Sequence, residues 1–359
     1  MASAKERFDL INDNLAEILN PELIESILAE GKNPRIYWGT ATTGRPHTGY
    51  LVPAIKIAQL LKAGCEVVIL LADIHAFLDS LKAPLELVEN RVKYYEKVIT
   101  SLLKAAGAPI EKLEFVLGSS YQKSPEYVMD LYKLASLTSE HDARKAGAEI
   151  VLDEEYLKCD GELGGMDQRK LFTAATEWLP KLGYRKRAHL VTPMVAGLKG
   201  AKMSSSDEAS KIDLLDSAED IAKKIRKAEA IPKVVENNGI IALVEFVLLP
   251  QAHLSGDGKF VVERREGEPL VYTDIAKVKE DYTNDVLTPQ DLKPAVSKGL
   301  NAIMEPIQKE YAASTEWQEI NAKAYPPPVV EKKVKKVKDK GSRFPGLNKE
   351  QELPVHPKE

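Results

Sequence analysis

The sequence predicts an α/β protein, a doubly wound parallel sheet of Rossmann-like design, followed by an all-α domain. Three observations lead there. Strand-length apolar runs alternate with helix-period segments from residue 36 to about 190, the order of a doubly wound sheet. The run Glu66–Asp73 is apolar almost throughout, as a parallel strand covered on both faces is. Beyond Asp216, long charged helical segments succeed one another with no strands between them. The boundaries that follow are 1–216 for the α/β part, 217–325 for the helical part and 326–359 for a basic disordered tail.

In chain order, residues 5–30 repeat apolar positions at helical spacing (Ile11, Leu15, Ile18; Ile24, Ile27, Leu28). Pro21 restarts the second helix, with Asn20 as its cap. Ile36-Tyr37-Trp38 reads as a strand end, and a turn of small residues follows it: Gly39, Thr40, Thr42, Thr43, Gly44. Residues 50–63 form a helix with Ile55, Leu60 and Leu61 inward. The next strand, Glu66–Asp73, ends in Asp73-Ile74-His75, polar groups at a strand C-terminus, where open α/β sheets bind ligands. A helix over 85–105 follows, then a strand at Glu114–Leu117 that runs into Gly118-Ser119-Ser120-Tyr121-Gln122. Residues 125–149 make a helical connection, 152–160 and 165–182 read as helical, and Ala188–Leu190 is the last strand. The helical part reads as 218–229, 239–250, 271–287 and 290–313. Pro326-Pro327-Pro328 and the lysine run over 332–340 open the tail.

Composition bounds the function classes. Two cysteines, Cys65 and Cys159, make neither a disulfide framework nor a cysteine zinc site, and they fit a reducing compartment. The longest apolar run, Val67–Ala72, is too short to span a membrane. Acidic residues spread through the first 30 positions are wrong for a secretory signal or a transit peptide, so the cytoplasm is the expected location. The net charge of −4 is uneven. Residues 331–359 hold nine Lys/Arg against five Asp/Glu, a basic tail on an acidic body. Such asymmetry suits a polyanion partner, and a solubilising end explains it equally well.

Residues 36–50, IYWGTATTGRPHTGY, put a small-residue turn between a strand and a helix N-terminus. Free N–H groups and the positive helix end there suit a phosphate, with Thr42, Thr43 and His47 as side-chain donors. Gly39, Gly44 and Gly49 let a phosphate approach the backbone. No GxxxxGK[ST] is present, and such turns also merely link strand to helix. Residues 200–206, GAKMSSS, form a cationic, donor-rich loop in which Lys202, Met203, Ser204 and Ser205 can close on a triphosphate; alone, it reads as a solvated polar loop. Together the two stretches resemble the paired HIGH and KMSKS signatures of class I aminoacyl-tRNA synthetases. Tyr50 stands in place of the second His, and Ser205 in place of the second Lys. The strings YWGTATTGRPH, AGCEVVILLADIHAFLD and GGMDQRK are similar to the eukaryotic, fungal-like cytoplasmic tyrosyl-tRNA synthetase family, and the resemblance covers residues 5–345.

That resemblance implies ATP as substrate with its Mg²⁺ and no metal site of the protein's own. It also implies L-tyrosine and tRNA(Tyr) as partners, and a homodimer. In the tyrosine pocket it implies Tyr37 and Asp153 as the phenol readers and Gln168 on the amino-acid backbone, with Leu70, His75, Tyr121 and Gln122 as lining. Without the family, Tyr37 is a core aromatic, Asp153 a helix N-terminal acid and Gln168 a surface amide. For tRNA it implies Arg144 and Lys145 at the acceptor end, Asp291 at the anticodon with Tyr282 for stacking, and Lys332, Lys333, Lys335 and Lys336 in the tail. Asp291 is equally a helix N-cap. One departure stands out. Family members carry roughly 18 further residues, ~27 Å if helical, between AGAEIV and LDEEY. That segment includes a YPxxQ-type string on the substrate's ammonium. Here Val151 runs straight into Leu152, which a skipped exon or a faulty gene model explains more simply than a genuine variant. The expectation is weak tyrosine binding and slow activation. Two alternatives share the motifs or the gap: a tryptophanyl-type synthetase or HIGH-type nucleotidylyltransferase, and a non-catalytic tRNA-binding protein.

Overall fold

The computed structural model describes residues 2–80, 84–141, 150–198 and 211–327. Residues 1–326 form one compact unit. Helix α1 (Ala4–Asn12) starts in a capping box in which Ser3 and Glu6 satisfy each other's backbone N–H. A short strand absent from the sequence reading, β1 (Glu17–Leu19), precedes α2 (Pro21–Ala29). Pro21 does open α2, but Asn20 is no side-chain cap. It sits at φ 55° and gives its amide to the Arg187 carbonyl. Strand β2 (Arg35–Thr40), α3 (Leu51–Lys62) and β3 (Glu66–Leu71) follow as read. Asp73 begins α4 (Asp73–Ser80) rather than ending the strand. Next come α5 (Leu85–Ala105), β4 (Leu113–Leu117) and α6 (Pro125–Leu137); residues 142–149 of the helical connection lie outside the described residues.

The stretch 152–160 is corrected most. Only α7 (Asp153–Tyr156) is helical, and β5 (Gly161–Gly165) follows directly. Three glycines in GELGG hide a strand from propensity. Hydrogen bonds from both neighbours fix it, and the Asp160 carboxylate pins its start to the Arg35 N–H at 2.8 Å. Helix α8 (Arg169–Trp178) and β6 (Ala188–Thr192) complete the α/β part. The sheet order is β1-β6-β5-β2-β3-β4, parallel except for β1 on the edge. From β2 the chain winds outward through β3 and β4, then returns to β5 and β6 on the other side. The reversal between β2 and β5 opens a crevice at their carboxyl ends.

Beyond Ser217 come α9 (Ala218–Lys227), α10 (Gly239–Leu243), a π-helical turn (Val244–Leu248) and α11 (Leu249–Ser255). A small hairpin interrupts the expected helices, β7 (Phe260–Val262) with β8 (Leu270–Tyr272), so the helix read over 271–287 is only α12 (Ile275–Thr283). Helices α13 (Pro289–Ala313) and α14 (Thr315–Ala324) are the last elements among the described residues. One apolar core runs from Ile11 and the sheet through Leu214 and Ile240 to Trp317. No helix among the described residues is long and apolar enough to cross a membrane.

Candidate active site

The crevice is floored by residues that the strands bring into register. β2 ends in Gly39 and Thr40, β3 contributes Leu70, and α7 contributes Asp153. They enclose a cavity of about 270 Å³, which His75, Gln122 and Gln168 also line. Asp153 is 2% exposed. Its Oδ1 accepts from the Tyr121 hydroxyl at 2.8 Å, the Gln122 amide at 2.9 Å and the Tyr127 hydroxyl at 3.1 Å. Burial pushes its carboxyl up to about 6; the three donors pull it back and the neighbouring Glu154 charge adds to the rise. Tyr37 is fully buried beside Gly39, and its hydroxyl has no hydrogen-bond partner among the described residues. Gln168 Oε1 takes the N–H of Gly165 at 3.0 Å, which fixes its amide at the cavity wall. The structure thus gathers Leu70, His75, Gln122, Asp153 and Gln168 around one cavity, with Tyr37 and Tyr121 packed against it.

The turn after β2 lies beside a second cavity of about 250 Å³, lined by Trp38, His47, Gly49 and Gly165. His47 Nδ1 accepts the N–H of Gly49 at 3.1 Å, which assigns the ring proton to Nε2. Burial, and then the Lys211 charge, hold the imidazole down to about 4, so it is neutral at pH 7. A Cβ at Gly49 would stand 2.7 Å from the His47 ring, so the fold-back needs glycine there. The buried Thr42 hydroxyl has no hydrogen-bond partner among the described residues, and the Thr43 N–H closes a tight turn onto Ala41. Two tyrosines fix the carbonyl of Gly44: Tyr95 at 2.5 Å and Tyr325 at 2.9 Å. Tyr50 faces Thr40 and Tyr95 at 3.2 and 3.3 Å.

Lys202, Met203, Ser204 and Ser205 lie outside the described residues, as do Arg144, Lys145, Lys332, Lys333, Lys335 and Lys336. The chain that leaves the lysine–serine stretch returns to the turn. The Thr48 N–H bonds the Ile212 carbonyl at 2.9 Å, and Asp213 bridges His47. Two expectations for the helical part change. Tyr282 is fully buried, its hydroxyl bonded to the Ile231 carbonyl and Asn238, so its ring is not presented for stacking. Thr288, not Asp291, caps α13; Asp291 sits three residues in and accepts the Thr288 hydroxyl at 2.7 Å. The residues that sequence reasoning missed are Tyr127 and Glu162, which also line the first cavity. A hydroxyl one turn beyond Ser124 was the signal available for Tyr127; Glu162 had none, because GELGG does not read as a strand.

The family described as tRNA synthetases class I (W and Y) matches residues 29–148 and 151–305. The cytoplasmic tyrosine–tRNA ligase of Saccharomyces cerevisiae is 46% identical, over 97% of this chain and 95% of that protein. The Danio rerio cytoplasmic tyrosine–tRNA ligase is 49% identical over 91% of this chain, which spans 64% of that relative. A tyrosyl-tRNA synthetase from Archaeoglobus fulgidus, solved with L-tyrosine, superposes with a TM-score of 0.78 at 34% identity, over 86% of this chain and 99% of that one. The yeast match extends over 375 positions, more than the 359 residues here, so this chain lacks segments that the relative carries. The family match breaks at residues 149–150, one residue short of Val151. With the sheet order, the crevice and these likenesses together, the chain belongs to the tyrosyl-tRNA synthetases of the class I aminoacyl-tRNA synthetase family.

Proposed function

We propose that this chain is a tyrosine–tRNA ligase that forms tyrosyl-adenylate from L-tyrosine and ATP and passes the tyrosyl group to the 3′ end of tRNA(Tyr). The observation that carries this reading is the pair of adjoining cavities at the β2–β5 reversal, one floored by Asp153 and one flanked by His47. The tyrosine carboxylate is ionised at pH 7 and attacks the α-phosphate, and pyrophosphate leaves. No general base is needed, so the protein's task is placement and the stabilisation of spreading negative charge. Asp153 accepts the phenol O–H, the unpartnered Tyr37 hydroxyl donates to its oxygen, and Gln168 holds the amino-acid backbone. His47 Nε2–H and the hydroxyls of Thr42 and Thr43 suit the phosphate oxygens, with Gly39, Gly44 and Gly49 keeping the path to the backbone clear. Lys202 serves the leaving pyrophosphate beside Ser204, Ser205 and Met203. Mg²⁺ arrives with the nucleotide as part of the substrate. A site that pairs a buried hydroxyl reader with its substrate rejects the analogue lacking the hydroxyl, because its own polar groups are then stranded.

Residues 217–325 serve as the anticodon-reading domain in this proposal. Its support is a groove of about 1,090 Å³ between α9 and α13, lined by Arg226, Arg265, Lys293 and Lys298 and reaching Gln290 beside Asp291. Exposed Met129, Tyr132 and Leu137 on α6, at 54, 63 and 44% exposure, suit a homodimer contact. The cytoplasm is the proposed location, as in the names of the relatives. Pyrophosphate exchange into ATP tests the proposal. L-tyrosine is expected to drive it, slowly, and restoring the relatives' segment after Val151 is expected to raise the rate. Exchange driven by L-tryptophan instead would overturn the reading; tRNA binding with no exchange, before and after restoration, would favour a non-catalytic tRNA-binding protein.

A further inference from the structure

Glu162 lies where the family signature gives no reason to look. In-register neighbours on parallel strands put their side chains on one face of the sheet. Tyr37 of β2 pairs with Glu162 of β5, and Glu162 pairs with His189 of β6, so the three stand in a row beneath the crevice. Glu162 is 2% exposed and lines the cavity beside Asp153. The groups facing it are the Tyr37 hydroxyl from β2, Asp153 and Glu154 from α7, and His189 from β6.

These acids are not equally provided for. Glu154 Oε1 is bonded to His189 Nε2 at 2.6 Å, and its other oxygen lies 4.0 Å from Arg187 Nε. Asp153 has its three donors. No ion pair reaches Glu162 among the described residues. Neighbouring carboxylates in a dry site cannot all ionise, and the one with neither the ion pair of Glu154 nor the three donors of Asp153 keeps its proton. Burial, then the Glu154 charge, push the Glu162 carboxyl well above the usual carboxylate range; the Tyr37 hydroxyl beside it draws it part of the way back, and the Asp153 charge adds to the rise. A metal reading of Glu154, Glu162 and His189, whose ligand atoms lie within 4.8 Å of one another, fits less well. The Glu154–His189 pair at 2.6 Å is closer than the ~3.3 Å between ligands on a tetrahedral ion with ~2 Å bonds.

We propose that Glu162 is a specificity-determining hydrogen-bond donor: its carboxylic O–H, together with the Tyr37 hydroxyl, serves the oxygen of a phenol whose own O–H goes to Asp153. A phenolic oxygen accepts twice and donates once, which matches this floor of two donors and one acceptor. The inference rests on the tyrosine reading above. An ionised Glu162 would instead set a carboxylate against the phenol oxygen.

The test uses the full chain with E162Q and E162A, and L-tyrosine and L-phenylalanine as probes in calorimetry and pyrophosphate exchange. E162Q keeps a neutral donor of the same shape and is expected to hold the tyrosine-over-phenylalanine ratio within about threefold. E162A is expected to lower it about ten- to hundredfold, with the KM for ATP unchanged. The infrared difference between wild type and E162Q at pH 7 is expected to contain a protonated carboxylic C=O band. A ratio unchanged in E162A, or a carboxylate band in place of the acid band, overturns the inference alone. A wild-type chain with no preference for tyrosine overturns the tyrosine reading together with it.

Discussion

Asp153 is pulled in two directions. Its ionised form is what the proposed phenol contact needs, yet burial makes that form costly and three donors only partly offset the cost. With its folded pKa raised to about 6, the native state holds a proton that the unfolded chain has already lost. Stability from this group is therefore complete below the unfolded carboxylate range, falls as pH rises through about 6 and stays lost above it. The magnitude is about 2–3 kcal/mol. D153N, neutral throughout, should gain on wild type by that amount between pH 4 and pH 8, measured as the difference in urea unfolding free energies. It should also lose selectivity for tyrosine. A difference that does not change with pH would refute the argument. The chemistry of Asp153 was legible only by resemblance, because nothing in LDEEYL distinguishes a pocket acid from its two exposed-looking neighbours, and Glu154 proves just as buried.

At the scale of elements, β5 shows why part of the sheet was hidden. Glycine is a poor strand former, and GELGG carries three, so local preference pointed away from a strand. Its neighbours demand those glycines. A Cβ at Gly161 would stand 2.6 Å from the Ala188 carbonyl and 3.2 Å from Ile36 Cδ1. G161A should therefore cost about 1–3 kcal/mol as an overpacked site. Because β5 carries Glu162 and leads to Gln168, the KM for tyrosine should rise as well; denaturant melts and exchange kinetics check the two effects. Directly after the break in the family match the described chain is well packed. Val151 and Leu152, 1 and 0% exposed, join Tyr127, Leu171 and Trp178 in a separate apolar cluster beside the cavity. Helices with full apolar stripes, such as α5 and α13, needed no such context and were read to within a residue or two.

Across the whole molecule, the end of the described chain returns to the turn after β2. Trp317 packs on Tyr94, Tyr325 bonds the Gly44 carbonyl, and Arg45 and Arg91 approach the Tyr325 ring at 5.0 and 5.1 Å. The helical part thereby buttresses the turn that carries His47. The tail beyond it holds nine Lys/Arg and five Asp/Glu. Truncation after Pro327 should weaken tRNA binding and flatten its salt dependence, because phosphate contacts release counterions. Tyrosine-dependent exchange should stay unchanged, since Tyr325 remains. An unaltered tRNA KM at physiological salt would count against a role for the tail.

The sequence by itself determined the class of fold, the long helices, the buried β3 strand and the two motifs, because periodicity and short signatures are local properties of a chain. Tertiary structure alone decided that GELGG is a strand, that Tyr282 is a core residue, that Thr288 caps α13 and that Glu162 faces Tyr37. Each of those depends on what a distant segment places alongside, and that information is in no single stretch of residues.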